Sequence, residues 1–209
     1  MMKQGRFSAL VRAALLAAMA VPAMTLPAPA MAQFSDAYNF LKAVKDRDGE
    51  KATTLLQKPG STVINSRDIT TGENALHLVV ARRDATWLSF LLGKGANPNL
   101  TDNSGNTPLM RAVQGRFEDG VALLLSVGAQ VDKTNDSGET PLIRAVQLRD
   151  VGLVRLLVSK GANPDKRDTI AGMSARDYAQ RDGRTPGLVE ALSAAKPAAP
   201  KGPVQGPVF

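Results

Sequence analysis

The chain of 209 residues contains no cysteine and one histidine, His77. Without cysteine there is no disulfide, no thiolate zinc site, no cysteine nucleophile and no lipid-modified amino-terminal cysteine. One histidine leaves no His-rich metal site and no second imidazole for a proton relay. Aromatic residues make up 4% of the chain, against 44% hydrophobic residues overall. The apolar content is mostly Ala, Leu and Val, which suits close-packed helices better than a β-sandwich. The sequence shows no carboxylate pair placed for a shared pocket, no phosphate-cradling glycine loop, no Ser-His-Asp set and no metal-ligand spacing. No cofactor, no metal and no enzymatic activity are expected.

The formal net charge is +7. Lys3, Arg6 and Arg12 lie in an acid-free segment at the start, and Lys196 and Lys201 lie in a Pro/Ala-rich stretch near the end. Setting the first three aside leaves +4, and setting all five aside leaves +2. A body that near neutrality lacks the electrostatic signature of a nucleic-acid binder.

Residues 1–32 have the three-part plan of a secretory signal. Lys3, Arg6 and Arg12 form a basic start, Ala13–Val21 an apolar run, and Ala30-Met31-Ala32 an A-x-A site. Cleavage is expected between Ala32 and Gln33. The apolar run is far shorter than the roughly 20 residues that span a bilayer, and Pro22, Pro27 and Pro29 stop its extension. No stable membrane span is expected in the mature chain. The signal is bacterial in style, so the expected location is the periplasm, with release beyond the cell left open. A chain without thiols suits that oxidising space, since nothing in it can mispair.

Three motifs recur at an interval of 33 residues, the kind of internal repeat to be sought before any single element. Gly95-Ala96-Asn97-Pro98-Asn99, Gly128-Ala129-Gln130-Val131-Asp132 and Gly161-Ala162-Asn163-Pro164-Asp165 form one series. Thr107-Pro108-Leu109-Met110-Arg111-Ala112-Val113-Gln114 and Thr140-Pro141-Leu142-Ile143-Arg144-Ala145-Val146-Gln147 form the second, identical at seven of eight positions. Leu123-Leu124-Leu125 and Leu156-Leu157-Val158 keep the same step. Thr107 and Thr140 suit helix N-caps, with Pro108 and Pro141 at the first helical position, where a missing N–H costs nothing. The spacing of Leu109, Ala112 and Val113 gives that short helix one apolar face. A second apolar helix follows through Val121–Leu125 and ends at Gly128, a residue suited to a left-handed C′ position. A polar stretch ending at Gly138 then suits a turn. Such a unit cannot bury its apolar faces alone and must stack on copies of itself.

This pattern resembles the ankyrin repeat, in Gly105–Ala112 with Gly128–Asp132 and again in Gly138–Ala145 with Gly161–Asp165. Gly72–Val79 is a looser copy, with Asn74 and Ala75 in place of Thr and Pro. Gly172–Ala179 is a degenerate last copy, one residue late, with Arg176 where Leu is expected. Phe40–Leu56 resembles a capping repeat, closed by Lys58-Pro59-Gly60. The resemblance implies an all-α ankyrin-repeat solenoid, with a helix-turn-helix and a hairpin-like turn in each of about five units across residues 33–195. Residues 196–209 read as a disordered Pro/Ala-rich tail ending at Phe209.

By the same resemblance, partner contacts come from the hairpin tips and the exposed side of the first helices, which line a concave groove. The tip residues are Thr70, Thr71, Glu73, Asn103, Ser104, Asn106, Asp136, Ser137 and Glu139. Asn106 and Glu139 are expected to project from the turns. The helix positions are Arg82, Gln114 and Gln147. Arg111 and Arg144 form a ladder open to two roles, a partner's carboxylates or phosphates, or internal pairing with Glu139 or another carboxylate. His77 stands where the family places a histidine bridging neighbouring turns, a structural role. Trp87 is expected in or near the core. The expected function is a non-enzymatic protein-binding module, monomeric in the periplasm, with an unidentified protein partner and no nucleic acid. The chain is similar to exported bacterial ankyrin proteins associated with stress defence. The alternatives are an envelope anchor that binds an anionic polymer and a secreted factor that binds host proteins.

Overall fold

The structure, a computed structural model, describes residues 28–193, with side chains from residue 36 onward. Ten α-helices occur among the described residues, in five successive pairs: α1 (Ala28–Asp46) and α2 (Gly49–Gln57), α3 (Ala75–Ala81) and α4 (Ala85–Gly93), α5 (Pro108–Gln114) and α6 (Glu118–Ser126), α7 (Pro141–Gln147) and α8 (Val151–Ser159), α9 (Ala175–Asp182) and α10 (Gly187–Ser193). One 3-10 turn, Val63–Asn65, lies in the longer link after α2. The first helices stack in order, α1 on α3, α5, α7 and α9, while α4 packs on α6 and α8 on α10. The array is therefore the predicted all-α solenoid of five units.

Local chemistry starts the first helices α3, α5, α7 and α9 in the same way. Asn74, Thr107, Thr140 and Ser174 sit in extended backbone and accept a hydrogen bond from the N–H three residues on. Each such cap contributes roughly 1 kcal/mol. Pro108 and Pro141 occupy the first helical turn, as the sequence predicts. Three of the second helices are capped by aspartates, Asp48, Asp84 and Asp150. In α6 that position is Phe117, which makes no side-chain cap. Its buried ring instead covers Gly120 so closely that no Cβ fits there. Trp87 and Leu153 stand at the positions equivalent to Gly120, so the Phe117 ring takes the space of a side chain that Gly120 lacks.

One apolar cluster runs the length of the array. Phe40, Leu76, Leu109 and Leu142 hold equivalent places on the first helices and are buried, as are Leu88, Leu91, Leu124 and Leu157 on the second. Trp87 is half-buried against this core, edge-on to Phe90 at 5.6 Å. The Arg82 guanidinium lies 5.5 Å from the Trp87 ring. Gly128 ends α6 in left-handed backbone, φ 87°, as expected.

Between the helices of the first four pairs stands an arginine in the same left-handed region: Arg47, Arg83, Arg116 and Arg149. Arg47 pairs with Asp84 at 3.3 Å, Arg116 with Asp150 at 3.2 Å and Arg149 with Asp182 at 2.6 Å, each an acid of the next unit. Arg83 breaks the series. The position that would offer it an aspartate is Phe117.

The expected cleavage after Ala32 falls at a backbone position inside α1. Residues 1–27 and 194–209, on which the signal and tail readings chiefly rest, lie outside the described residues, Phe209 included. No described helix is long and apolar enough to cross a membrane.

Candidate functional site

The hairpins are built from an Asx residue that opens each one. Asp68 Oδ1 accepts from the N–H groups of Thr70 and Thr71. Asp102 Oδ1 accepts from Ser104 and Asn106, and Asn135 Oδ1 from Ser137 and Glu139. Asp168 Oδ1 accepts from Ile170, Ala171 and Gly172. Backbone donors hold the Asp68 carboxyl below its ordinary range, with Thr70 and Thr71 the main ones. Burial alone would raise the Asp168 pKa. Hydrogen bonds from the Tyr178 hydroxyl, 2.6 Å away, and from those backbone N–H groups outweigh it and lower the pKa. These turn-opening residues were not among the sequence candidates. Their signal is the recurrence of Asp or Asn five or six residues before each N-cap.

Successive hairpins are tied by backbone hydrogen bonds. The Asn103 N–H donates to Thr71 O at 3.0 Å, Asp136 N–H to Ser104 O at 3.2 Å, and Thr169 N–H to Ser137 O at 3.1 Å. The glycine of each tip allows this approach. At Gly72, Gly105 and Gly138 a Cβ would crowd the backbone nitrogen of Asn103, Asp136 or Thr169. The tips thus form one rail along the array.

Among the predicted contact residues, Thr70, Thr71, Asn103, Ser104 and Asp136 are exposed on this rail. Glu73, Ser137 and Glu139 are half-buried, as are Arg82, Gln114 and Gln147 on the helices. Asn106 does not project. It is 8% exposed, and its backbone and side-chain nitrogens donate to the Asp102 carboxylate. Glu139 also turns inward, accepting from Arg144, Gln147 and Asn135. The expectation of projection fails at both because the residue before each N-cap closes back on its own hairpin.

Arg111 and Arg144 are internally paired. Arg111 reaches Glu73 at 2.7 Å in the preceding unit and Asp102 at 3.5 Å. Arg144 pairs with Glu139, as one of the two sequence readings had it. Its Nε is buried without an acceptor. Arg82 spans two units, donating to Val44 O at 2.6 Å and to Asp84 at 3.1 Å. The helix side of the site is therefore a mesh of ion pairs in which Arg82 Nη2 and Arg144 Nε are left without acceptors, and the tips carry the exposed polar groups.

His77 is buried and joins two hairpins. Its Nε2 lies 2.9 Å from the Asn106 carbonyl oxygen, which only accepts, so Nε2 carries the proton. Nδ1 then accepts from the Asn74 N–H at 3.3 Å, with the Asn74 Oδ1, itself an acceptor, 2.8 Å from it. Burial depresses the His77 pKa below its ordinary 6.5, and the Asn106 bond opposes this only in part. As pH falls, the unfolded chain takes up this proton first. Stability present above pH 6.5 is then lost as pH falls from 6.5 towards the folded-state value. His77→Met is the matched control, because Met110 holds the equivalent position. Melts at pH 7.5, 6.5 and 5.5 should show a falling Tm for the wild type and a flatter profile for the variant. Equal slopes would refute a buried neutral imidazole.

A fold of stacked helix pairs with hairpin tips in register defines a repeat solenoid that presents an extended face. The family model of ankyrin repeats (3 copies) matches residues 40–135 and 90–168. Together these matches cover more than half of the chain, which belongs to the ankyrin repeat family. Ankyrin repeats are protein-interaction modules.

The chain is 37% identical over 85 residues to an ankyrin repeat protein of fowlpox virus (strain NVSL), covering 36% of this chain and 25% of that protein. It is 46% identical over 52 residues to the nuclear factor NF-kappa-B p110 subunit of Drosophila melanogaster, covering 25% of this chain and 5% of that one. It is 35% identical over 72 residues to diacylglycerol kinase iota of Homo sapiens, covering 34% and 7% respectively. The chain thus spans a quarter or less of the length of these relatives.

Proposed function

We propose that this protein is an exported, non-enzymatic module of the bacterial periplasm. It binds a protein partner through the groove between its hairpin rail and its first helices. The observation that carries the reading is the rail itself. Thr70, Thr71, Asn103, Ser104 and Asp136 are exposed at points tied to one another by backbone hydrogen bonds. A face ordered before binding loses little entropy on association. The signal-like start supports export, and the similarity to exported bacterial ankyrin proteins associated with stress defence gives the first setting in which to seek the partner.

Internal pairing of Arg111 and Arg144 weighs against an anionic polymer as ligand, since both guanidinium groups already face carboxylates. Ser104 and Asp136 serve better as test positions than Asn106 and Glu139, which hold the turns together. The test is recovery of a tagged full chain from periplasmic extract. Its intact mass should place the mature start at Gln33, and a specific protein should co-purify. Ser104→Arg with Asp136→Arg should weaken that complex tenfold or more, leave Tm unchanged, and leave salt dependence modest. Steep salt dependence with indifferent tip variants would favour the polymer. A cytosolic protein starting at Met1 would end the export reading.

A further inference from the structure

The hairpin rail has an open end. In every later hairpin a tip N–H donates to a carbonyl of the hairpin before it, from Asn103, Asp136 and Thr169 in turn. The equivalent residue of the first hairpin is Ile69, which follows Asp68 as Asn103 follows Asp102. The Ile69 N–H has no partner among the described residues, and its side chain is 96% exposed.

The place where a preceding hairpin would stand is a cavity of about 520 Å³ between α1 and Ser66–Ile69. Tyr38 and Leu41 form its α1 wall, with Ile69 opposite. Tyr38 holds the position that later units give to the buried caps Asn74, Thr107 and Thr140. Here the helix runs straight through, no hairpin precedes it among the described residues, and Tyr38 is 69% exposed. Lys42, Lys45 and Arg67 stand at the rim. Lys42 is paired with Asp46 at 2.6 Å, whereas Lys45 is 4.0 Å from Asp68. The Asp68 carboxylate is committed to Thr70 and Thr71, and Arg67 Nε donates to Gly72 O. Lys45 still faces Asp68 Oδ2, so the three cations Lys42, Lys45 and Arg67 against the two carboxylates Asp46 and Asp68 leave the rim a net charge of +1.

We propose that this end of the rail is a docking site for an extended segment of a partner protein. A carbonyl of the segment accepts from the Ile69 N–H and continues the inter-hairpin bonding by one strand, as in recognition by strand addition. One large apolar side chain of the segment fills the cavity against Tyr38 and Leu41. Acidic residues beside it meet Lys45 and Arg67. This rests on the protein-binding reading above and names the partner's chemistry.

The probe is a display library of random twelve-residue peptides, selected on the folded full-length mature chain. Enriched peptides are synthesised and titrated by fluorescence anisotropy. They should share one large apolar residue flanked by acids. Ile69→Pro removes a donor unused within the hairpin, though it also fixes φ there and restricts Asp68, and Tyr38→Glu places a charge on the cavity wall. Ile69→Asp keeps the N–H and removes the apolar side chain. Each should weaken binding at least tenfold with Tm unchanged, while Ile170→Asp, at the exposed tip of the last hairpin, should leave it intact. Peptides that bind all these variants like the wild type overturn the site. If those peptides are lost with Ser104→Arg and Asp136→Arg, the groove reading stands without it. A library that yields no binding peptide overturns it as well. Self-association of the wild type that Tyr38→Glu abolishes also overturns it, by making a second copy the occupant.

Discussion

Replacing Gly105 by alanine should lower the stability of this protein by about 2–5 kcal/mol, a large part of what an ordinary domain has. Two effects add. Gly105 has φ of +73°, a left-handed conformation that costs an L-residue roughly 1–2 kcal/mol. Its Cβ would also stand 2.6 Å from the backbone nitrogen of Asp136, inside the bond that joins the two central tips. Forced overpacking of that kind adds about 1–3 kcal/mol. Gly128→Ala separates the two effects, because Gly128 has φ of +87° and nothing within 4 Å of an added Cβ. It should show the conformational cost alone. Urea titrations of both variants decide the matter. Equal losses would mean that the contact between hairpins contributes nothing.

Leu142→Ala should cost about 2–5 kcal/mol, the range for a deleted leucine in a rigid core. Leu142 is fully buried on α7, and α7 packs on both α5 and α9. At about 2–4 °C per kcal/mol for a chain of this size, Tm should fall by roughly 5–15 °C. Leu188 is equally buried but lies on α10, which packs chiefly on α8 and α9. In an array held by contacts between neighbours, a central loss uncouples two interfaces and a terminal loss one. Leu188→Ala should therefore fray the last unit and leave the main transition near its wild-type midpoint. If the two variants shift the main transition equally, the array unfolds as a single body.

The architecture was legible because each unit carries its own punctuation. Thr107-Pro108 and Thr140-Pro141 mark helix starts by capping chemistry, and Gly128 marks a helix end by its backbone freedom. Those signals are local, and so they survive in sequence. The site was legible only in part. Asn106 has the small polar character of an exposed tip, yet the chain folds its amide onto Asp102, four residues back. The Arg111–Glu73 pair joins residues 38 apart, and no local pattern shows which acid of a neighbouring unit an arginine will meet. Once the 33-residue step is known, such a pair is found by aligning units and reading across them. The same alignment finds Phe117 opposite Asp84 and Asp150, whereas Ile69 falls opposite Asn103 only when the hairpins are aligned on their opening residues, Asp68 and Asp102.

The hairpins differ in length along the array. From opening Asx to N-cap, the first and last span six residues, Asp68 to Asn74 and Asp168 to Ser174, whereas the two central ones span five, Asp102 to Thr107 and Asn135 to Thr140. The two central units also present near-identical first helices and the same glycine contact to whatever stands beside them. A duplicated gene segment of 33 codons placed between them would meet on each side the surface it already fits. Placed outside either longer hairpin, it would meet a register it does not match. Insertion of a 33-residue unit between the central pair is therefore the change in length that the array is built to accept.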